Sequence, residues 1–324
     1  MCSSDLPRSA PISATEIAWG EFSGKGASAR WNDLPYLIHD EWEDLRGRVD
    51  VVLAGPPCQG HSNLNNHSRR TDNRNKLYFT VPMVAIALET DIVVIENVPA
   101  VQHDSSQVVE TTRRLLQEAG YSVETGTVSA IRFGWPQTRQ RFFMVARRSL
   151  PPLPIASVQD ALDDGSRHDV MWAISDLMDS DLDQRLHLHT ELSEENQRRI
   201  GFLFENDLFD LPMSERPECH RDGTTYNAVY GRLHPDRPAP TITTGFLTPG
   251  RGRFIHPFLR RTLTPHEAAR LQGFPDGYNF FPSHANPTTK VNLTKWIGDA
   301  VPMPLGYVAG ISALGNGWSR SVST

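Results

Sequence analysis

Hydrophobic positions along this chain gather into short β-branched runs separated by amphipathic stretches. Val49 to Gly55 (VDVVLAG) is such a run; it ends in Gly-Pro-Pro and predicts a buried strand followed by a turn. Lys76 to Thr90 has helical spacing, with Pro82 kinking it or marking its early part. Asp91 to Val98 (DIVVIENV) predicts a second buried strand, and Ser105 to Ala119 an amphipathic helix stopped by Gly120. Two strand-like runs follow, around residues 121–130 and 142–147. Strand, helix, strand, helix with continuously apolar strands predicts a parallel sheet covered by helices, an α/β fold.

Pro151, Pro152 and Pro154 interrupt that pattern, and the chain from there to about Pro257 is irregular and rich in Asp, His, Pro and Thr. It predicts a separate small domain, so the expected division is 1–148, 149–255 and a returning segment 256–324. Regular structure resumes where Thr264 can cap a helix, Pro265 fits its first position, and Gly273 and Pro275 end it. A last helix is expected from about Val301 to Ser312. Residues 1–48 are polar and weakly periodic. The opening MCSSDL resembles translated sequencing adapter, which makes the chain an N-terminal truncation on this reading.

Composition narrows the class. The 324 residues are 39% hydrophobic with 23 glycines, ordinary for a soluble globular protein and unlike a collagen, a disulfide scaffold or a disordered chain. The best candidate for a membrane span, VPMVAIALETDIVVIENV, is broken by Glu89, Asp91 and Glu96. Net charge is −6, yet only four of the 32 basic residues are lysines (at 25, 76, 290 and 295). Arginine suits forked contacts to phosphate and base edges, although a GC-rich coding sequence gives the same bias. Cys2, Cys58 and Cys219 are too few and too far apart for a disulfide framework or a zinc site, so no metal and a cytoplasmic location are expected.

Three segments carry candidate chemistry. In Gly55-Pro56-Pro57-Cys58-Gln59-Gly60 a cysteine follows directly on a buried strand, where ligands of open α/β sheets bind. It is either a nucleophile needing help to ionise or a small buried apolar residue. Glu96-Asn97-Val98-Pro99 ends the next strand at the same sheet edge; the carboxyl is a general acid or a helix cap. In Gln137-Thr138-Arg139-Gln140-Arg141, alternate residues share a face if extended, so Gln137, Arg139 and Arg141 form either a forked donor surface or a solvated edge.

PPCQG, ENVP, QTRQR before FFMVA, RTLTPHEAARLQGFP and IGDAVP occur in this order. Together they resemble the cytosine-C5 DNA methyltransferase family over roughly residues 49–148 and 237–313. The resemblance implies a Rossmann-like sheet using S-adenosylmethionine, with a small irregular target recognition domain. It implies that Cys58 attacks C6 of a flipped-out cytosine in double-stranded DNA, that Glu96 holds and protonates N3, and that Arg139 and Arg141 contact the base and nearby backbone. It places Pro57, Leu77, Asp299 and Ala300 at the cofactor. Gln59, Ser62, Arg69, Arg70, Gln137, Tyr226, Arg232, Thr241 and Thr243 become candidate DNA contacts. A monomer paired with a cognate restriction endonuclease is implied. A tRNA-methylating branch and a catalytically dead DNA-binding fragment are the alternatives; a cysteine hydrolase is weaker, because no His/Asn pattern accompanies Cys58.

Two departures qualify the match. The family's FxGxGG cofactor loop has no counterpart: Phe22-Ser23-Gly24-Lys25-Gly26-Ala27 follows no apolar strand and stands too close to Cys58. The chain as it stands is therefore expected to bind S-adenosylmethionine poorly or not at all, and the full-length parent to be active. Asp299 replaces the usual Asn of GNAVP, and an anion near the cofactor carboxylate should weaken binding further unless protonated.

Overall fold

The computed structural model describes residues 43–57, 77–178, 184–187, 190–221, 228–281 and 288–315. The chain forms two compact units, one of residues 1–127, 141–155 and 309–324 and one of residues 128–140 and 156–308. These divide the chain elsewhere than at the 148 and 255 boundaries expected from sequence.

The first unit is built on a sheet with strand order β1-β2-β4-β3, where β1 is Val51–Ala54, β2 Ile92–Asn97, β3 Ser122–Ser129 and β4 Gln140–Arg147. β1 and β2 pair in parallel, but β2 and β4 pair antiparallel, so the sheet is mixed and not parallel as expected. The length of the β3–β4 connection, residues 130–139, accounts for this: a parallel return needs a crossover of about a dozen residues or more. Helices α1 (Thr80–Ala87) and α2 (Val108–Glu118) belong to this unit. Pro82 falls in the first turn of α1, where its missing N–H costs little. Val93, Ile95, Met144 and Ala146 pack with Tyr78, Val81, Ala85, Val108 and Leu116 in its core.

The second unit contains more helix than its polar sequence suggests: α3 (Ile155–Leu162, from the boundary onward), α4 (Glu194–Glu205), α5 (Pro265–Gln272) and α6 (Lys290–Asp299). α5 begins as expected, with Thr264 and Glu267 forming a reciprocal capping box, and ends at Gly273 with φ +92°. Its core joins Val170, Ile174, Ile242, Phe246, Phe254, Leu271 and Ile297. α7 (Met303–Leu314) follows.

Candidate active site

In the first unit, β1 and β2 are in register with Ala54 opposite Ile95. The segment leaving β1, Gly55–Pro57, and the carboxyl end of β2, Glu96–Asn97, therefore lie at one sheet edge. Asn97 ties them together: Nδ2 donates to Pro56 O at 3.2 Å, and Oδ1 accepts from Val98 N at 2.8 Å. A Cβ on Gly55 would lie 3.7 Å from Glu96 Oε2, so the turn passes close to the carboxylate. Pro57, half-buried, leads directly into Cys58. Cys58, Gln59, Ser62, Arg69, Arg70 and Tyr226 lie outside the described residues.

Glu96 reaches across to the antiparallel neighbour. Arg141 Nε stands 2.7 Å from Glu96 Oε1, and the two side chains are 14% and 22% exposed. So sheltered a pair is screened by salt far less than a surface pair. Tyr78 is buried nearby; burial, and then the negative charge of Glu96, hold its phenol above the ordinary tyrosine range. Its hydroxyl has no hydrogen-bond partner among the described residues. Leu77 is half-buried, and its carbonyl accepts from Thr80 Oγ1 at 2.7 Å.

The second unit corrects three expectations. Gln137 is fully buried and donates to Leu271 O (2.9 Å) and to Gln272 Oε1 (3.1 Å). Arg139 is 2% exposed and donates to Ile242 O (2.9 Å) and Gly298 O (3.3 Å). Neither presents the forked donor surface expected from sequence, because the alternation that puts them on one face says nothing about what covers that face. Arg232 is also buried: Nε donates to Pro257 O at 2.7 Å, and its guanidinium lies over the rings of Phe204 and Phe209. It is packed into this unit. Thr241 and Thr243 are half-buried, on either side of Ile242.

Asp299 and Ala300 end α6 beside a cavity of about 530 Å³ lined also by Phe274, Tyr278, Asn279, Phe280, Lys295 and Trp296. Lys295 Nζ is 2.8 Å from Asp299 Oδ2, one helical turn away, so this anion has a counter-charge. The sequence reading missed Lys295 as that partner, although the i,i+4 spacing was visible. It also missed Gln272, whose Nε2 donates to Ile297 O (2.5 Å) and Ala300 O (3.2 Å).

Comparison with known proteins decides the family. The sequence pattern of the C-5 cytosine-specific DNA methylases matches residues 32–311. The chain belongs to that family. Type II methyltransferase M1.BsuMI of Bacillus subtilis is 44% identical over 273 residues, 84% of this chain and 62% of that protein. The chain thus spans under two thirds of that relative. Type II methylase M.HgiDII of Herpetosiphon aurantiacus is 31% identical over 264 residues, 80% of this chain and 74% of the relative. Among solved structures, the S. pombe Dnmt2 methyltransferase shares the fold with a TM-score of 0.57 at 15% identity, covering 93% of this chain and 87% of that one. The Rossmann-like methyltransferase fold follows, and S-adenosylmethionine is the family's cofactor.

That cofactor carries a purine, a sulfonium and an amino-acid end. Aromatic walls beside a Lys295–Asp299 ion pair, in a cavity of about 530 Å³, suit such a mixture of flat apolar and charged groups.

Proposed function

We propose that this chain carries the methyl-transfer chemistry of a type II modification enzyme, acting in the cytoplasm as a monomer on cytosine C5 in double-stranded DNA, alongside a cognate endonuclease. The observation that carries the reading is the sheltered Glu96–Arg141 pair, at the same sheet edge as the turn that delivers Cys58.

Cytosine C5 is a weak nucleophile. The Cys58 thiolate forms an S–C6 bond, and the displaced π electrons would leave negative charge on the ring. Glu96, with Oε1 kept on Arg141, takes a proton from solvent on Oε2 as the base enters and passes it to N3, so that charge is neutralised and C5 becomes an enamine carbon. Arg141 fixes the Glu96 carboxyl from the adjacent strand, leaving it preoriented toward an incoming base. Asp299, Ala300, Pro57 and Leu77 would hold S-adenosylmethionine, which would supply the electrophilic methyl group for C5. Solvent water then takes the C5 proton, N3 returns its proton to Glu96, and the C5–H electron pair forms the C5–C6 double bond as Cys58 leaves with the C6–S pair as thiolate. Thr241 and Thr243 face the duplex in this reading, together with Gln59, Ser62, Arg69, Arg70 and Tyr226. Extruding the base costs a few kcal/mol, offset by this pocket.

The test is to incubate the chain with unmethylated bacterial DNA and a high concentration of methyl-tritiated S-adenosylmethionine, then digest to nucleosides. Label is expected in 5-methyl-2′-deoxycytidine. Label on exocyclic amino groups, or transfer to tRNA alone, would overturn the reading.

A further inference from the structure

Two segments of the second unit, each tied to a different ligand in the proposed function, meet at a single buried junction. One is Thr241–Thr244, next to the candidate DNA contacts. The other is Ile297–Ala300, next to the candidate cofactor contacts. A Cβ on Gly298 would lie 2.2 Å from Thr244 N and 2.4 Å from Thr243 C, so the two backbones touch with no room for a side chain. Arg139 spans them with one nitrogen, Nη1, donating to Ile242 O at 2.9 Å and to Gly298 O at 3.3 Å. Gln272 holds the second segment from behind through Ile297 O and Ala300 O, and its own Oε1 is fixed by Gln137 Nε2. All three polar side chains are at most 2% exposed.

We infer that Arg139, Gln272 and Gly298 are positioning residues that clamp the segment carrying Thr241 and Thr243 to the segment carrying Asp299 and Ala300, so that the two move as one body. The ligand assignments rest on the proposed function; the clamp does not. Buried hydrogen bonds to backbone carbonyls leave those carbonyls short of a donor when it is removed: loss of Arg139 acts directly on both segments through Ile242 O and Gly298 O, and loss of Gln272 frees the second segment, which bears on the first through the Gly298 backbone contact. A methyl at Gly298 acts differently: it keeps every hydrogen bond donor and pushes the backbones apart.

Hydrogen exchange on the free full chain tests this, with Arg139→Met, Arg139→Lys, Gln272→Met and Gly298→Ala compared with the parent. Arg139→Met, Gln272→Met and Gly298→Ala should each accelerate exchange in peptides over 241–247 and over 297–301 together, by tenfold or more, while strand β4 keeps its protection. Arg139→Lys, which keeps a donor, should restore much of the loss seen in Arg139→Met in both peptides. Acceleration confined to one segment in all three loosening variants, or parent-like exchange in both, would overturn the clamp. If Gly298→Ala, whose methyl meets backbone at 2.2 Å, unfolds outright, Gln272→Met and the comparison of Arg139→Lys with Arg139→Met carry the decision. Exchange is read without cofactor or DNA, so a failed methylation assay and a failed clamp are separate results.

Discussion

His256 makes the stability of the second unit depend on pH. Its ring is fully buried, and Nδ1 accepts from Phe258 N and Leu259 N at 3.0 Å each. A proton on Nδ1 would break both. Burial draws its pKa down to about 4; the Glu267 carboxylate, 3.6 Å from Nε2, opposes this in part and the Arg261 guanidinium reinforces it. In the unfolded chain a histidine titrates near 6.5. Between those values the unfolded chain binds more protons than the folded one. The contribution is therefore intact above about pH 6.5 and is lost progressively as pH falls toward about 4. At about 1.4 kcal/mol per pKa unit, the gap amounts to ~3 kcal/mol. For a unit of this size that is roughly 6–12 °C in melting temperature. His256→Asn places an amide oxygen where Nδ1 accepts and removes the titration. Thermal unfolding followed from neutral pH down to about pH 4 should show the parent losing ~6 °C or more relative to the variant. Parallel pH profiles for the two proteins would refute the reasoning.

Other substitutions probe the same physics elsewhere. Glu267, 1% exposed, receives a two-pronged contact from Arg261 at 2.7 and 2.8 Å and accepts from Thr264 N, so Glu267→Ala should cost about 3–5 kcal/mol in a denaturant titration. Tyr78→Phe removes a buried hydroxyl without a partner among the described residues and should leave stability unchanged or raise it by about 1 kcal/mol. Glu96→Gln keeps the shape of the carboxyl but cannot deliver a proton as an acid does; kcat for methyl transfer should fall by roughly 10²–10⁴ with the melting temperature little changed.

Much of this was legible in the sequence. The apolar runs located β1 to β4 within a few residues, and Thr264, Pro265 and Gly273 located α5 almost to the residue. Strand direction was not legible, because an apolar run looks the same either way; only the short β3–β4 connection held the answer. Glu96 and Arg141 were singled out separately, and their pairing depends on β4 inserting beside β2, which no local pattern encodes. Gln137, Arg139 and Arg232 were misplaced for a common reason. Arginine and glutamine are surface residues by habit, and burial against distant carbonyls such as Ile242 O, Leu271 O and Pro257 O leaves no mark near them in sequence. α4 was missed because its apolar face, Ile200 and Leu203, is short and embedded in charge; Ser193, which caps it, was the available signal.

The proposed methyl transfer depends on reversible bonding of Cys58 to cytosine C6, and C5 hydrogen exchange measures that step most directly. Duplex DNA carrying tritium at cytosine C5 should release label to water in the presence of the chain, because the enamine carbon exchanges its hydrogen before the sulfur leaves. Release by the parent chain that disappears in Cys58→Ser is the predicted result. Equal release by Cys58→Ser and the parent would contradict it.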